Sequence, residues 1–505
     1  MDIMAFPREN DMLPQLFLLL TVFFLLLVKF TFSKNLKNLP PTPPTWSIIG
    51  NLHQIGEKPH ISITNLANEY GPLISLHLGS QLLVVASSPE AAMEILKTHD
   101  RIFSARLVPS AYRQSSILPY TLVWSDCNQT WRTLRAICRT EIFSVKAIEI
   151  HSRVREEKVS YMLDFLRSKE GEVLNIAEVV FTTSFNILSC IIFSKDLLDL
   201  KDEHHTRGGL KDSIEKVMEY GGKPDFSNFF PMFRILDLQG IRKGSHKNIK
   251  RVFSFWKEII KETRSQMGSS AWTSKQTKSL LDRLLEEGVS DNQINQLALE
   301  LFIGGTDTTT STVGWAIAEL LRNKEALSKL EREVKKEINS DKITESQLSE
   351  LPYLQACIKE TLRLHPTTPF LLPHQAQETC EVMGYTIPKG AEIFVNIWAI
   401  SRDPKIWDDP LSFRPERFLG SKVDFRGHNF EFTPFGAGRR MCPGLSLGLR
   451  SVELLLASLV HGLEWVLPDD DDPSKLDMDD KFGVTLQKEK PVKLICKLKK
   501  ESLVA

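Results

Sequence analysis

The sequence predicts a mainly α protein with small β-sheets (α+β), preceded by an N-terminal membrane helix. Three observations predict it. Residues 16–32, LFLLLTVFFLLLVKFTF, are apolar apart from Lys29. Helical spacing of apolar residues dominates from residue 88 onward. Strand-like runs are short and confined to 73–87, 391–400, 481–487 and the stretch PVKLICKLK that follows. The 505 residues are 42% hydrophobic and 25% charged, a globular composition with room for a large core. Lys plus Arg and Asp plus Glu both number 63, so no basic excess recommends a nucleic-acid partner.

The apolar run spans roughly 26 Å as a helix, close to a thin bilayer core. Asp2, Arg8, Glu9 and Asp11 precede it, and Lys34 and Lys37 follow it. The positive-inside rule then places the bulk of the chain in the cytosol. A removed leader would want a small-residue cleavage site, which the run lacks. Prolines 40, 41, 43 and 44 make the next segment a stiff strut. The expected organisation is an anchor over 1–33, a proline-rich strut over 34–58 and the main domain over 59–505.

Two strands flank a Gly-Ser turn within 73–87. In SPEAAMEILKTH, residues 88–99, Ser88 reads as a helix cap and Pro89 as the first helical residue. Further helical stretches run through 128–166, 172–193, 210–220, 246–266, 276–287, 291–338, 345–364 and 445–462. The seven cysteines are scattered, odd in number and without a CxxC pair. A disulfide framework or zinc site is therefore not expected, and a chemically important cysteine would act alone.

Two stretches carry chemistry. LFIGGTDTTTST, residues 301–312, interrupts an otherwise strong helical pattern. Glycine costs up to about 1 kcal/mol per helical position relative to alanine, and threonine is also a poor helix former. A helix with two glycines at its centre leaves room beside it, and the Thr308 hydroxyl can return to the carbonyl one turn earlier. In FTPFGAGRRMCPGLSLGLRS, residues 432–451, Cys442 immediately precedes a helix and Pro443 reads as that helix's first residue. A helix N-terminus favours a thiolate. Gly436, Gly438 and Gly444 clear side chains from around the sulfur, and Arg440 supplies a nearby cation. One thiolate, a cleared floor and a cation suit the iron and a propionate of haem.

FGAGRRMCPG resembles the haem-binding signature of the cytochrome P450 family: Phe435, Gly438, Arg440, Cys442 and Gly444 fall at its fixed places. KETLR (359–363), FRPERF (413–418), WRTLR (131–135) and GGTDTT (304–309) resemble further family segments, in family order. The similarity runs from about Pro40 to the C-terminus. It implies a P450 fold with haem b held by the Cys442 thiolate. It implies Phe435 in the haem loop, and Trp131, Arg135, His374 and Arg440 at the propionates. It makes Asp307 and Thr308 the acid–alcohol pair that relays protons during dioxygen activation. Glu360, Arg363 and Arg417 would form a structural ion network. Electrons would come from NADPH through a membrane-bound NADPH–cytochrome P450 reductase, with Arg132, Arg139 and Arg439 as docking candidates. The location would be the endoplasmic reticulum membrane, single-pass, with the haem domain facing the cytosol.

The strut and SRDPKIWDDPLSFRPERF (401–418) look like the plant microsomal branch. WSDCNQTWRTLRAICRTEIFS (124–144) and GKPDFSNFFPMFRILDLQGI most resemble alkaloid-pathway members, which hydroxylate N-methylcoclaurine, couple phenols, or oxidise and rearrange littorine. The expected activity is a monooxygenase acting on a medium-sized plant specialised metabolite, an alkaloid first and a monoterpenol such as geraniol second. Residues 104–124, 297–308, 366–374 and 479–487 would line its pocket. An O2-independent isomerase or a non-catalytic haem protein on the same fold is the alternative of another class. Departures from the family pattern are Thr42 in PPTPP, Cys127 and Asn128 ahead of Trp131, and Thr367 and Thr368 in HPTTP.

Overall fold

The computed structural model describes Thr21 and residues 38–499, except 114–119, 203–208, 270–271, 273–276 and 469–471. The expected membrane anchor, 1–33, falls almost wholly outside the described residues. The helices are α1 (Pro59–Tyr70), α2 (Pro89–Met93), α3 (Gln129–Cys138), α4 (Val145–Ile150), α5 (Ser152–Ser168), α6 (Ile176–Phe193), α7 (Leu210–Gly222), α8 (Ile241–Gln266), α9 (Leu280–Glu286), α10 (Asp291–Arg322), α11 (Lys324–Glu337), α12 (Pro352–Leu364) and α13 (Leu445–His461). The strands are β1 (Leu73–Leu78), β2 (Gln81–Ala86), β3 (Val173–Asn175), β4 (His374–Gln375), β5 (Cys380–Val382), β6 (Tyr385–Ile387), β7 (Glu392–Val395), β8 (Leu463–Val466), β9 (Asp480–Lys481), β10 (Gln487–Lys488) and β11 (Lys493–Leu498).

Strands β1-β2-β7-β4 form one sheet, with only β2 and β7 parallel. An antiparallel sheet β3-β11-β8 and the pairs β5-β6 and β9-β10 complete the β structure. The strut lies along β1. Ser75 donates its amide to the Pro41 carbonyl at 2.9 Å, and the hydroxyls of Ser75 and Thr42 meet at 2.6 Å. The unusual Thr42 thus gives a proline run, poor in donors, a side-chain bond to the sheet.

Several expected helices are shorter than their apolar pattern, because a polar residue turns its side chain to cap the next helix or to close the one that ends. Ser144 accepts the Ala147 amide at 3.1 Å and helps divide 128–166 into α3, α4 and α5. Asn175 accepts from Ala177 at 3.1 Å, so 172–193 opens with β3 before α6. Asn323 donates its side-chain amide to the Glu319 carbonyl at 2.8 Å, where 291–338 divides into α10 and α11. Asn396 ends β7 and caps the turn Ile397–Ile400. Ser88 caps α2 as its sequence suggests, accepting from Ala91 at 3.2 Å.

Helix α10 runs through the core. Its Phe302 stacks on Phe185 of α6 at 4.4 Å and on Trp256 of α8 at 5.5 Å between centroids. Helix α6 is long and apolar enough to cross a bilayer, with mean hydropathy 1.8, but 83% of it is buried in this core. A buried ion network braces α12. Arg363 donates to both carboxylate oxygens of Glu360 at 2.7 and 2.8 Å, and Arg417 adds a third bond at 2.9 Å. Glu360 and Arg363 are 0% exposed, so this is the network the KETLR and FRPERF segments suggested and not a solvated surface pair.

Candidate active site

The loop Phe435–Cys442 is closed by one hydrogen bond, from the Cys442 amide to the Phe435 carbonyl at 3.0 Å. Gly438 has φ +65°, and a Cβ there would lie 1.9 Å from the Leu96 carbonyl oxygen. No other residue fits that approach. A Cβ on Gly444 would come within 3.9 Å of the Cys442 Sγ. Helix α13 starts at Leu445 with Gly444 as its cap, so Pro443 precedes the helix instead of opening it. The amides of Gly444 and Leu445 point at the sulfur, and Arg135 adds positive charge. Burial outweighs them and pushes the bare thiol above its ordinary value, against the sequence expectation. The residue is nonetheless exposed to solvent.

Cations gather beside this loop. Arg440 donates to the carbonyls of Ser104 at 2.8 Å, Leu122 at 3.2 Å and Ser125. Arg135 donates to the Met441 carbonyl at 2.7 Å. The two guanidinium carbons lie 5.3 Å (Arg135) and 5.1 Å (Arg440) from the Trp131 ring centroid, and the Trp131 indole donates to Leu122 at 2.9 Å. His374 bonds the Phe103 carbonyl through Nδ1 at 2.7 Å. Burial, with Arg106 and Arg440 nearby, holds its imidazole well below the usual range. Arg106 bonds the carbonyls of Leu372 and Pro373, and burial with Arg440 pushes it down to about 9.

Among the described residues, every hydrogen bond that Arg106, Arg135, Arg440 and His374 make ends on a backbone carbonyl. None has a carboxylate in an ion pair among the described residues. The Arg106 Nε is buried and has no partner among the described residues. Buried and half-buried guanidiniums without ion-paired counter-ions are costly, so the cluster suits an anionic guest. The two carboxylates of a haem above an accessible cysteine meet that requirement, and the residues fit the group.

Helix α10 faces the same region. Glu300 accepts the Leu122 amide at 2.6 Å, while the Leu122 carbonyl accepts from Trp131 and Arg440. One residue, Leu122, thereby joins α10 to the cysteine loop through its amide and its carbonyl. Burial raises the Glu300 carboxyl to about 7. Gly304 has no atom within 4 Å of where its Cβ would stand, whereas a Cβ on Gly305 would meet Leu188 of α6 at 2.8 Å. The helix is continuous through this stretch, and its threonines bond inward. Thr308, Thr309, Thr310 and Thr312 each donate to the carbonyl four residues earlier, at 2.7–2.9 Å. The Thr308 bond to Gly304 is the one expected from sequence.

Asp307 is turned to the C-terminal segment, where Thr485 and Gln487 donate to its carboxylate. Burial raises its carboxyl, and these two donors pull the other way. Ser311 donates to the Leu486 carbonyl at 2.8 Å, and the Leu486 amide donates to Thr367 at 2.7 Å. Of the four stretches expected to line a pocket, 104–124 and 479–487 thus bond α10, which contains 297–308, and 366–374 bonds 479–487. Sequence reading missed Arg106 and Glu300. An arginine in a hydroxyl-rich loop and an acid in a helix carry no local mark of burial, and only their distant partners give them a place.

The chain matches the family Cytochrome P450 over residues 40–496. It is 48% identical over 467 residues to the protein named Probable (S)-N-methylcoclaurine 3'-hydroxylase isozyme 2 of Coptis japonica, covering 92% of this chain and 95% of that one. It is 46% identical over 467 residues to corytuberine synthase of the same species, covering 92% and 94%. It is 39% identical over 486 residues to geraniol 8-hydroxylase of Catharanthus roseus, covering 95% and 98%. With a family match over almost the whole chain and relatives this similar across it, the protein belongs to the cytochrome P450 family and is an enzyme of the monooxygenase type.

Proposed function

We propose that this monooxygenase oxidises an alkaloid, by hydroxylation, phenol coupling or oxidative rearrangement, on a haem held by Cys442. The observation that carries the haem assignment is the cluster of carboxylate-free cations around the glycine-cleared cysteine loop. Cys442 would hold the haem iron through its sulfur, and the Gly444 and Leu445 amides would stabilise its anion. Arg106, Arg135, Arg440, Trp131 and His374 hold the propionates, and Phe435 shields the sulfur side. When bound, the haem supplies the chemistry that splits dioxygen.

Thr308 keeps its hydroxyl oxygen free to accept a proton donor, since its own hydrogen is given to Gly304. Asp307 holds a proton reserve behind it, kept in place by Thr485 and Gln487. Identities of 48% and 46% to the N-methylcoclaurine hydroxylase and corytuberine synthase proteins, against 39% to geraniol 8-hydroxylase, favour an alkaloid over a monoterpenol.

The apolar run at 16–32 and its basic flank support a single-pass anchor in the endoplasmic reticulum, with residues 59–505 as the cytosolic haem domain. Electrons then come from NADPH through a reductase that docks near exposed Arg132, Arg139 and Arg439. The test is the spectrum of the reduced protein under carbon monoxide, followed by product analysis with a benzylisoquinoline, NADPH and reductase. A strongly red-shifted Soret band that Cys442→Ala abolishes is expected. A normal band without NADPH- and oxygen-dependent product from any alkaloid would overturn the substrate assignment.

A further inference from the structure

Glu300, Gly304 and Thr308 follow one another at intervals of four residues, so they share one stripe of α10. Each is at least partly accessible, while Leu299 and Phe302 beside them are 1% and 0% exposed. Glu300 is the charged member of the stripe. Its carboxylate accepts the amides of Leu122, at 2.6 Å, and Val123, with Gln296 at 3.4 Å. No lysine, arginine or histidine among the described residues forms an ion pair with it. Arg440 acts on it only at longer range, and burial keeps the nearby Tyr112 and Cys138 protonated. An acid with amide donors but no counter-cation stands at the head of an open stripe.

We propose that Glu300 receives the protonated nitrogen of a basic substrate, with Gly304 making room for an attached ring one turn further along. A cationic amine brings the charge that the protein withholds, and neither partner is left unpaired in an apolar setting. The neutral isostere of such a substrate gains nothing from the carboxylate and still has to displace the solvent around it. The choice of an alkaloid amine as ligand rests on the substrate reading above, but the recognition chemistry does not.

The experiment titrates the haem-loaded enzyme by calorimetry with two pairs of ligands. One pair is an N-methyl-1-benzyltetrahydroisoquinoline and its neutral N-acetyl counterpart. The other is N,N-dimethyl-2-(2-naphthyl)ethylamine and N,N-dimethyl-2-naphthylacetamide. The wild type is expected to bind each amine about tenfold or more tighter than its amide, a ratio worth roughly 1.4 kcal/mol. Glu300→Gln keeps an oxygen for the Leu122 and Val123 amides, so the loop they belong to retains its anchor. It is expected to lose that preference while amide affinity changes by less than about threefold, and Glu300→Asp is expected to restore part of it. Equal weakening of amine and amide in Glu300→Gln would reduce Glu300 to a brace for residues 121–124 and overturn the proposal. A wild type without preference for amines would overturn it as well. Glu300-dependent binding of the naphthyl amine without binding of the benzylisoquinoline would uphold the role of Glu300 and reject the alkaloid reading instead.

Discussion

Gly304 and Gly305 are adjacent, yet the first faces open space and the second abuts Leu188 of α6, whose Cδ1 would lie 2.8 Å from an added Cβ. The two glycines therefore do different things. Gly304→Ala is expected to raise stability by up to about 1 kcal/mol through helix propensity, while narrowing the site and lowering turnover. Gly305→Ala is expected to cost about 1 kcal/mol net, because overpacking against Leu188 exceeds the propensity gain. Chemical denaturation and turnover, measured side by side, should move in opposite directions for Gly304→Ala.

The Glu360–Arg363–Arg417 network has no solvent to fall back on. Glu360→Ala leaves Arg363, 0% exposed, without its carboxylate. A loss of about 3–5 kcal/mol is expected, seen as a collapse in folded yield and in the denaturation midpoint. Arg417→Ala removes a less buried partner and should cost less than Glu360→Ala in the same assay.

Arg106→Met removes one member of the cation cluster without touching the cysteine. Haem retention is expected to weaken by about 1–3 kcal/mol, the worth of a charged hydrogen bond. The ratio of haem to protein and the rate of haem transfer to an acceptor apoprotein measure it. A Soret band of unchanged position with lower occupancy is the expected signature.

Thr308→Ala leaves Gly304 without its side-chain bond but keeps the backbone helix intact. The spectrum under carbon monoxide should be preserved. The NADPH consumed per product formed should rise several-fold, as expected when one positioned proton-transfer group worth about 10²–10⁴ in rate is lost. Peroxide release measures the diverted electrons.

Glu392 on β7 is buried, and desolvation raises its carboxyl to about 8 from an ordinary 4.5. Between those values the folded state holds a proton that the unfolded chain has released. Stability is therefore present at low pH and lost as pH rises through the window, by at most about 1.4 kcal/mol per unit. Gln81 donates to this carboxylate, and Glu392→Gln keeps a polar partner for it. The difference in stability between wild type and Glu392→Gln should shrink as pH falls from 8 to 5.

Most of the fold's skeleton was legible in the sequence. Apolar periodicity located α6, α8, α10, α12 and α13, and strand alternation located β1, β2 and β11. What misled was local. Ser144, Asn175 and Asn323 look like ordinary polar faces of long helices until their side chains turn to a backbone group. The segment 481–487 reads as a strand, but hydrogen bonds from its Thr485 and Gln487 to Asp307, and from Ser311 and Trp315 to its Leu486 carbonyl, hold it against α10, and only β9 and β10 pair. The local sequence singled out Cys442 and Arg440, and the family resemblance added Trp131. Arg106 and Glu300 depend on partners more than 170 residues away, which no local pattern encodes.

The inward-bonded threonines of α10 have a consequence for any guest. Because Thr308 spends its hydrogen on the Gly304 carbonyl, while Thr309, Thr310 and Thr312 are buried, the accessible stripe offers a hydroxyl lone pair there and no proton. A molecule arriving with a donor to give finds a welcome there, and one carrying only acceptors finds a surface as indifferent as hydrocarbon.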